Sequence, residues 1–86
     1  MAEHFRTVIR EPDFEEELAT LIPDVEEADD FVQAAELILA RDPEVGTNAQ
    51  GTDVWLLPMA PVGGTEVYLY YTFDAEAVYL IAILKV

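Results

Sequence analysis

The chain has 86 residues, of which 18 are acidic and 4 basic, for a formal charge of −14. That length holds one domain around one modest core, so residues 1–86 are read as a single unit, and the 52% hydrophobic share argues against disorder. The absence of cysteine excludes disulfides, zinc–thiolate sites and thiol nucleophiles, and the charge disfavours contact with phosphate backbones, which normally takes Lys and Arg.

In chain order, Phe5-Arg6-Thr7-Val8-Ile9-Arg10 alternates apolar and polar residues, the period of a half-buried strand. Glu11-Pro12 ends it. Pro12 suits the first turn of a helix, and Asp13, Glu15 and Glu16 suit its positive end. Phe14, Leu18, Leu21 and Ile22 then share a helical face, and Pro23 breaks the helix. Asp24 caps a second helix, with Glu27 at capping-box spacing. Its apolar face is Ala28, Phe31, Val32, Ala35, Ile38 and Leu39, and it ends near Arg41, with Asp42-Pro43 closing it.

Residues Asp42 to Thr52 read as a loop. A short strand from Asp53 is expected to stop at Pro58, and Ala60 to Thr65, with its Gly63-Gly64 signal, reads as a turn. Val67 to Phe73 and Ala77 to Lys85 are strands joined by the tight turn Asp74-Ala75-Glu76, a natural antiparallel hairpin. The expected fold class is α+β: an N-terminal strand, a helical hairpin, then an antiparallel three-stranded meander packed on the helices. The longest apolar stretch, Ala77 to Leu84, is far short of the roughly 20 residues that span a bilayer. No secretory signal stands at the N-terminus, so a soluble, cytoplasmic protein without a membrane role is expected.

The ordered set of pieces resembles the RelE/ParE superfamily of bacterial toxin–antitoxin toxins over nearly the whole chain. It comprises the opening strand, the helical hairpin, the passage Ala40-Arg41-Asp42-Pro43-Glu44-Val45-Gly46, and Val54-Trp55-Leu56-Leu57. The tyrosine-rich Tyr68-Leu69-Tyr70-Tyr71-Thr72-Phe73-Asp74 and the closing run Val78 to Lys85 complete it. The resemblance implies a RelE/ParE-like fold and a place in, or descent from, a type II toxin–antitoxin module. The chain departs from the RNA-cleaving members where they carry positive charge. Leu56 and Pro58 stand where such members place Arg or Lys, Tyr68 where they tend to carry Arg, and only Lys85 falls near their basic C-terminal cluster. One basic residue cannot both hold RNA and stabilise charge on a transferring phosphate. The resemblance therefore implies a toxin-like protein that acts by protein binding without ribonuclease activity. An active toxin, either an mRNA endoribonuclease or a gyrase inhibitor, is one alternative. An acidic nucleic-acid mimic or a homodimeric interaction protein is another.

An active toxin would draw on Tyr71, Lys85, Arg6 and Arg10, with Tyr71 at a position where the resemblance implies an active-site tyrosine. Tyr68, Tyr70, Tyr71 and Tyr79 suit a core or a protein interface better than base stacking, because stacking works beside positive charge. Trp55, the only tryptophan, reads first as a core anchor and second as the lining of a groove for a partner peptide. The partner-binding candidates are thus Trp55, Tyr68, Tyr70 and Tyr79. The acidic groups Glu15, Glu16, Glu17 and Glu26, Glu27, Asp29, Asp30 lack the wrapping loop of a calcium site and read as solvated helix surface. His4 is alone, so neither a metal site nor a catalytic triad is expected, and no cofactor is implied. The expected partner is an antitoxin-like or other protein, of basic character if charge guides it, with a second copy of the chain as the simple alternative and no direct contact with nucleic acid. Solubility or adaptation to a salty cytoplasm accounts for the acidity equally well.

Overall fold

A computed structural model of the protein describes residues 5–62 and 65–85. Strand β1 (Thr7–Arg10) leads into α1 (Pro12–Leu21) and α2 (Val25–Arg41). A 3-10 turn, Pro43–Val45, and a two-residue strand β2 (Thr47–Asn48) follow, then β3 (Trp55–Val62), β4 (Thr65–Phe73) and β5 (Ala77–Lys85). The strands form one five-stranded sheet in the order β1-β5-β4-β3-β2. β1 runs parallel to β5, and every other pairing is antiparallel. The fold is therefore α+β with a mixed sheet: β3, β4 and β5 make the meander, and the helical hairpin carries the chain across one face so that β1 joins the meander's last strand.

Local chemistry accounts for the boundaries. Pro12 occupies the start of α1 with Asp13 and Glu15 in its first turn, and the Ile22 N–H closes the helix on the Leu18 carbonyl. Asp24 accepts a hydrogen bond from the Glu27 N–H at 2.9 Å, which satisfies one of the N–H groups a helix start leaves without a partner. The helices bury Phe14, Leu18 and Ile22 from the first segment and Ala28, Val32, Ala35 and Leu39 from the second. They pack against Val67, Leu69, Tyr71, Val78, Leu80 and Ile83 of the sheet. The buried stripe on α2 is narrower than the sequence suggests. Ile38 lies beyond its edge, 47% exposed, because the seam is already filled at the 28, 32, 35, 39 spacing.

Three expectations need correction. β3 does not stop at Pro58 but continues to Val62, and β4 begins at Thr65, so most of the expected turn belongs to strands. The reason lies at the sheet edge. β2 accompanies only Trp55 and Leu56, so Pro58 sits where, among the described residues, the outer side of β3 has no neighbouring strand to which it must donate. The Asp42 to Thr52 segment is not plain loop. The 3-10 turn and β2 stand within it, Ala49 N–H bonds to the Val54 carbonyl, and Gly51 turns the chain at φ 81°, a conformation that favours glycine. The first strand begins at Thr7, two residues later than the alternation implies. His4 and the Gly63-Gly64 pair lie outside the described residues.

β5 contains a bulge. Tyr70 lies opposite Ala82 while Tyr71 lies opposite Leu80, which leaves Ile81 as an extra residue. The bulge shifts the alternation by one, so Val78, Leu80 and Ile83 all point into the core although their spacing is two and then three.

Candidate functional site

The helices cover one face of the sheet and leave the other open. Along β4, Val67, Leu69 and Tyr71 are fully buried, so Tyr68, Tyr70 and Thr72 project from the opposite face. On β5 the same alternation sends Tyr79 outward beside Thr72, and beyond the bulge it sends out Ala82 and Leu84. On β3 it is Leu56 and Pro58, opposite Tyr70 and Tyr68. Ile9 of β1, 39% exposed, extends the face next to Tyr79. The result is a half-exposed surface of three tyrosines and several aliphatic side chains. Of the four partner-binding candidates, Tyr68, Tyr70 and Tyr79 gather here. Trp55 does not: it packs on the helix side with Leu57 and Met59, its ring 5.4 Å from that of Phe73. Leu56, Pro58 and Leu84 join the face although the sequence does not mark them as partner-binding candidates; Leu56 and Pro58 stand out there only as positions without the expected positive charge. Their parity relative to the buried residues was the available signal, and the bulge obscured it for Leu84.

The catalytic candidates are dispersed. Tyr71 is completely buried. Its hydroxyl donates to the Pro43 carbonyl at 2.5 Å and accepts from the Gly46 N–H at 3.2 Å, so it fastens the 3-10 turn to the sheet. Burial pushes the pKa of this phenol up, although the Gly46 N–H opposes the shift. That direction leads away from proton transfer near neutral pH. Gly46 allows the approach: a Cβ there would come 2.5 Å from the Leu56 carbonyl oxygen and 2.6 Å from the Tyr71 hydroxyl.

Arg10 lies on the helix side, 3.0 Å from Glu36, 3.1 Å from Asp29 and 3.7 Å from Glu15. The Glu36 carboxylate, hydrogen-bonded to the guanidinium, drives its pKa still higher, so its charge is permanent and committed to this cluster. Arg6 donates from Nε to the Asp74 carbonyl at 2.7 Å, and its guanidinium lies over the Phe73 ring, 5.6 Å from the centroid. Arg41 lies over the Phe5 ring at 5.8 Å. Lys85 stands at the other end of β5 from Arg6, close to α1. At ordinary strand rise the nine residues of β5 put roughly 25–30 Å between those two ends. Arg6, Arg10, Lys85 and the Tyr71 hydroxyl therefore share no cleft, and none of the four basic side chains reaches the open face.

Asp74 holds the β4–β5 turn by accepting from the N–H groups of Glu76 and Ala77, both at 2.8 Å. These bonds keep its carboxyl below the usual carboxylate range. Among the described residues no group of three or more His, Asp or Glu is placed to hold a metal ion, and no helix is long and apolar enough to cross a membrane. The open face offers apolar and hydrogen-bonding contact rather than a nucleophile with its base. No family model matches the chain, and no curated protein matches it.

Proposed function

We propose that the protein is a toxin-like component of, or derived from, a type II toxin–antitoxin module, and that it binds a partner protein over its open sheet face without cleaving RNA. The order of strand, helical hairpin, turn and meander supports the RelE/ParE-like assignment. One observation carries the functional reading: Tyr68, Tyr70 and Tyr79 share the uncovered face, while all four basic side chains are placed elsewhere. Tyrosine suits such an interface, since its ring supplies apolar area and its hydroxyl a hydrogen bond. Holding an RNA backbone on that face would require cations it does not have. The partner is an antitoxin-like protein. The −14 charge of the chain favours a basic one, through orientation and association rate rather than through the contact itself.

The test has two arms. Purified protein incubated with RNA is expected to leave it intact. Cleavage that disappears in Lys85→Ala or Tyr71→Phe would overturn the reading. In the second arm the chain is co-expressed with the product of the adjacent reading frame and the complex is measured by calorimetry. Tyr68→Asp with Tyr70→Asp is expected to weaken it at least tenfold, and an unchanged affinity would place the contact elsewhere.

The same face supports a homodimer as the second reading, because a surface without basic groups and centred on tyrosines is self-complementary. Salt separates the two. Raising it screens the repulsion between two copies of charge −14 and strengthens a dimer, whereas it weakens a complex with a basic partner.

A further inference from the structure

β1 accompanies β5 only as far as Leu80. Arg10 lies opposite Leu80, the Glu11 N–H bonds to the Leu80 carbonyl, and the chain then turns into α1. From Ile81 to Lys85 the side of β5 away from β4 has no neighbouring strand among the described residues. Between that edge and α1 runs a groove of about 570 Å³, lined by Asp13, Glu16, Glu17 and Leu21 on one wall and by Ile83, Leu84 and Lys85 on the other. An unpaired backbone edge is a template for another chain unless something blocks it.

One side chain already occupies the place of the missing strand. The Ile83 N–H points away from β4 and donates to Glu17 Oε1 at 3.2 Å. A carboxylate oxygen thus stands where the carbonyl of an added strand would be. Ile83 and Lys85 face Leu69 and Val67 in the same phase of the ladder, so their backbone groups alternate to this outer side together. The walls bring three carboxylates against one ammonium, a surplus that selects for positive charge.

We infer that the groove between α1 and the β5 edge binds an extended, lysine- or arginine-bearing peptide segment, which adds to the sheet as a short strand beside Ile81–Lys85 in line with β1. Its carbonyl takes the Ile83 N–H, and the displaced Glu17 joins Asp13 and Glu16 in pairing with its cations. Backbone bonds fix the register and alternate basic side chains provide selectivity. The site lies at the sheet edge, meeting the tyrosine face only at Leu84, and does not depend on the toxin–antitoxin reading.

The test uses the full chain and a capped octapeptide alternating lysine and valine, labelled for fluorescence anisotropy. Saturable binding is expected, with the Ile83 amide among the most shifted signals in a nitrogen–proton correlation spectrum. Only one edge of an added strand faces β5. Methylating the amide nitrogens of either the lysines or the valines should therefore cut affinity at least tenfold, while methylating the other set changes it less than threefold. The variant Asp13→Asn, Glu16→Gln, Glu17→Gln should lose at least tenfold in affinity. The charge-matched control Glu26→Gln, Asp30→Asn, Glu44→Gln should lose less than threefold. No saturable binding, equal loss in the two triple variants, equal tolerance of both methylated peptides, or a silent Ile83 amide would each overturn the inference, because diffuse attraction to a polyanion predicts those results.

Discussion

Tyr70 and Tyr71 are adjacent in the chain and belong to opposite sides of the sheet. Tyr71 is fully buried, stacked near Phe73 at 6.3 Å, with both lone-pair and proton of its hydroxyl assigned to the Pro43–Gly46 turn. Tyr70 is half-exposed on the uncovered face between Leu56 and Ala82. The period of the strand alone separates them. The same residue type therefore serves as a structural fastener on one face and as contact surface on the other, and counting tyrosines in a sequence cannot tell the two roles apart.

Substitution should expose that asymmetry directly. Tyr71→Ala removes a fully buried aromatic ring and two hydrogen bonds, and is expected to cost about 3–5 kcal/mol. Tyr70→Ala should stay within about 1 kcal/mol. Urea denaturation of both variants measures the difference, and comparable losses would show that the open face is load-carrying for the fold. Gly46→Ala tests the same fastener from the other end. Its Cβ would strike a backbone oxygen as well as the Tyr71 hydroxyl, and a backbone atom cannot swing aside. A loss of about 2–3 kcal/mol is expected from overpacking and disturbed hydrogen bonds. Tyr71→Phe should come next at about 1–2 kcal/mol, since it keeps the ring and removes only the hydroxyl. The order alanine, glycine replacement, phenylalanine sharpens the assignment; a Tyr71→Phe variant as stable as the parent would mean that the turn does not need its tether.

The two faces were unequally legible in the sequence. The helices were plain because their signals are local: Pro12 at one start, Asp24 with Glu27 at the other, Pro23 between them. The two last strands were equally plain, and β5 has the expected ends. The parallel partnership of β1 with β5 joins residues about 70 positions apart and has no local signal. Pro58 misled because a proline in a strand reads as a stop unless it is known that the adjoining strand is only two residues long. Trp55 and Tyr68 were grouped as partner-binding candidates although alternation puts them on opposite faces. That separation depends on pairing Trp55 with Tyr71 and Pro58 with Tyr68, and the register is a tertiary fact. The dispersal of the basic side chains was foreshadowed by their small number, but the engagement of Arg10 with Glu36, Asp29 and Glu15 required two helices to be placed over β1.

The smallest effect is expected at the hairpin tip that joins the two faces, and its sign is set by pH. Asp74 accepts from the Glu76 and Ala77 N–H groups as a carboxylate, and those bonds hold its pKa below the usual range. A carboxyl with a depressed folded-state pKa adds stability above its unfolded value, near 4, and loses that contribution as pH falls through the lower folded value. Asp74→Ala should therefore be less stable than the parent by a constant margin from about pH 5 to pH 8, and the margin should narrow below about pH 4. The other carboxylates titrate in both proteins, so taking the difference between two urea curves at each pH largely removes the falling self-repulsion of this acidic chain. A margin that persists unchanged to pH 2.5 would mean that the Asp74 side chain supports the turn as a neutral acceptor rather than as an ion; no margin at any pH would mean that the backbone bonds alone hold the turn, the Asp74 N–H on the Ala77 carbonyl and Arg6 on the Asp74 carbonyl.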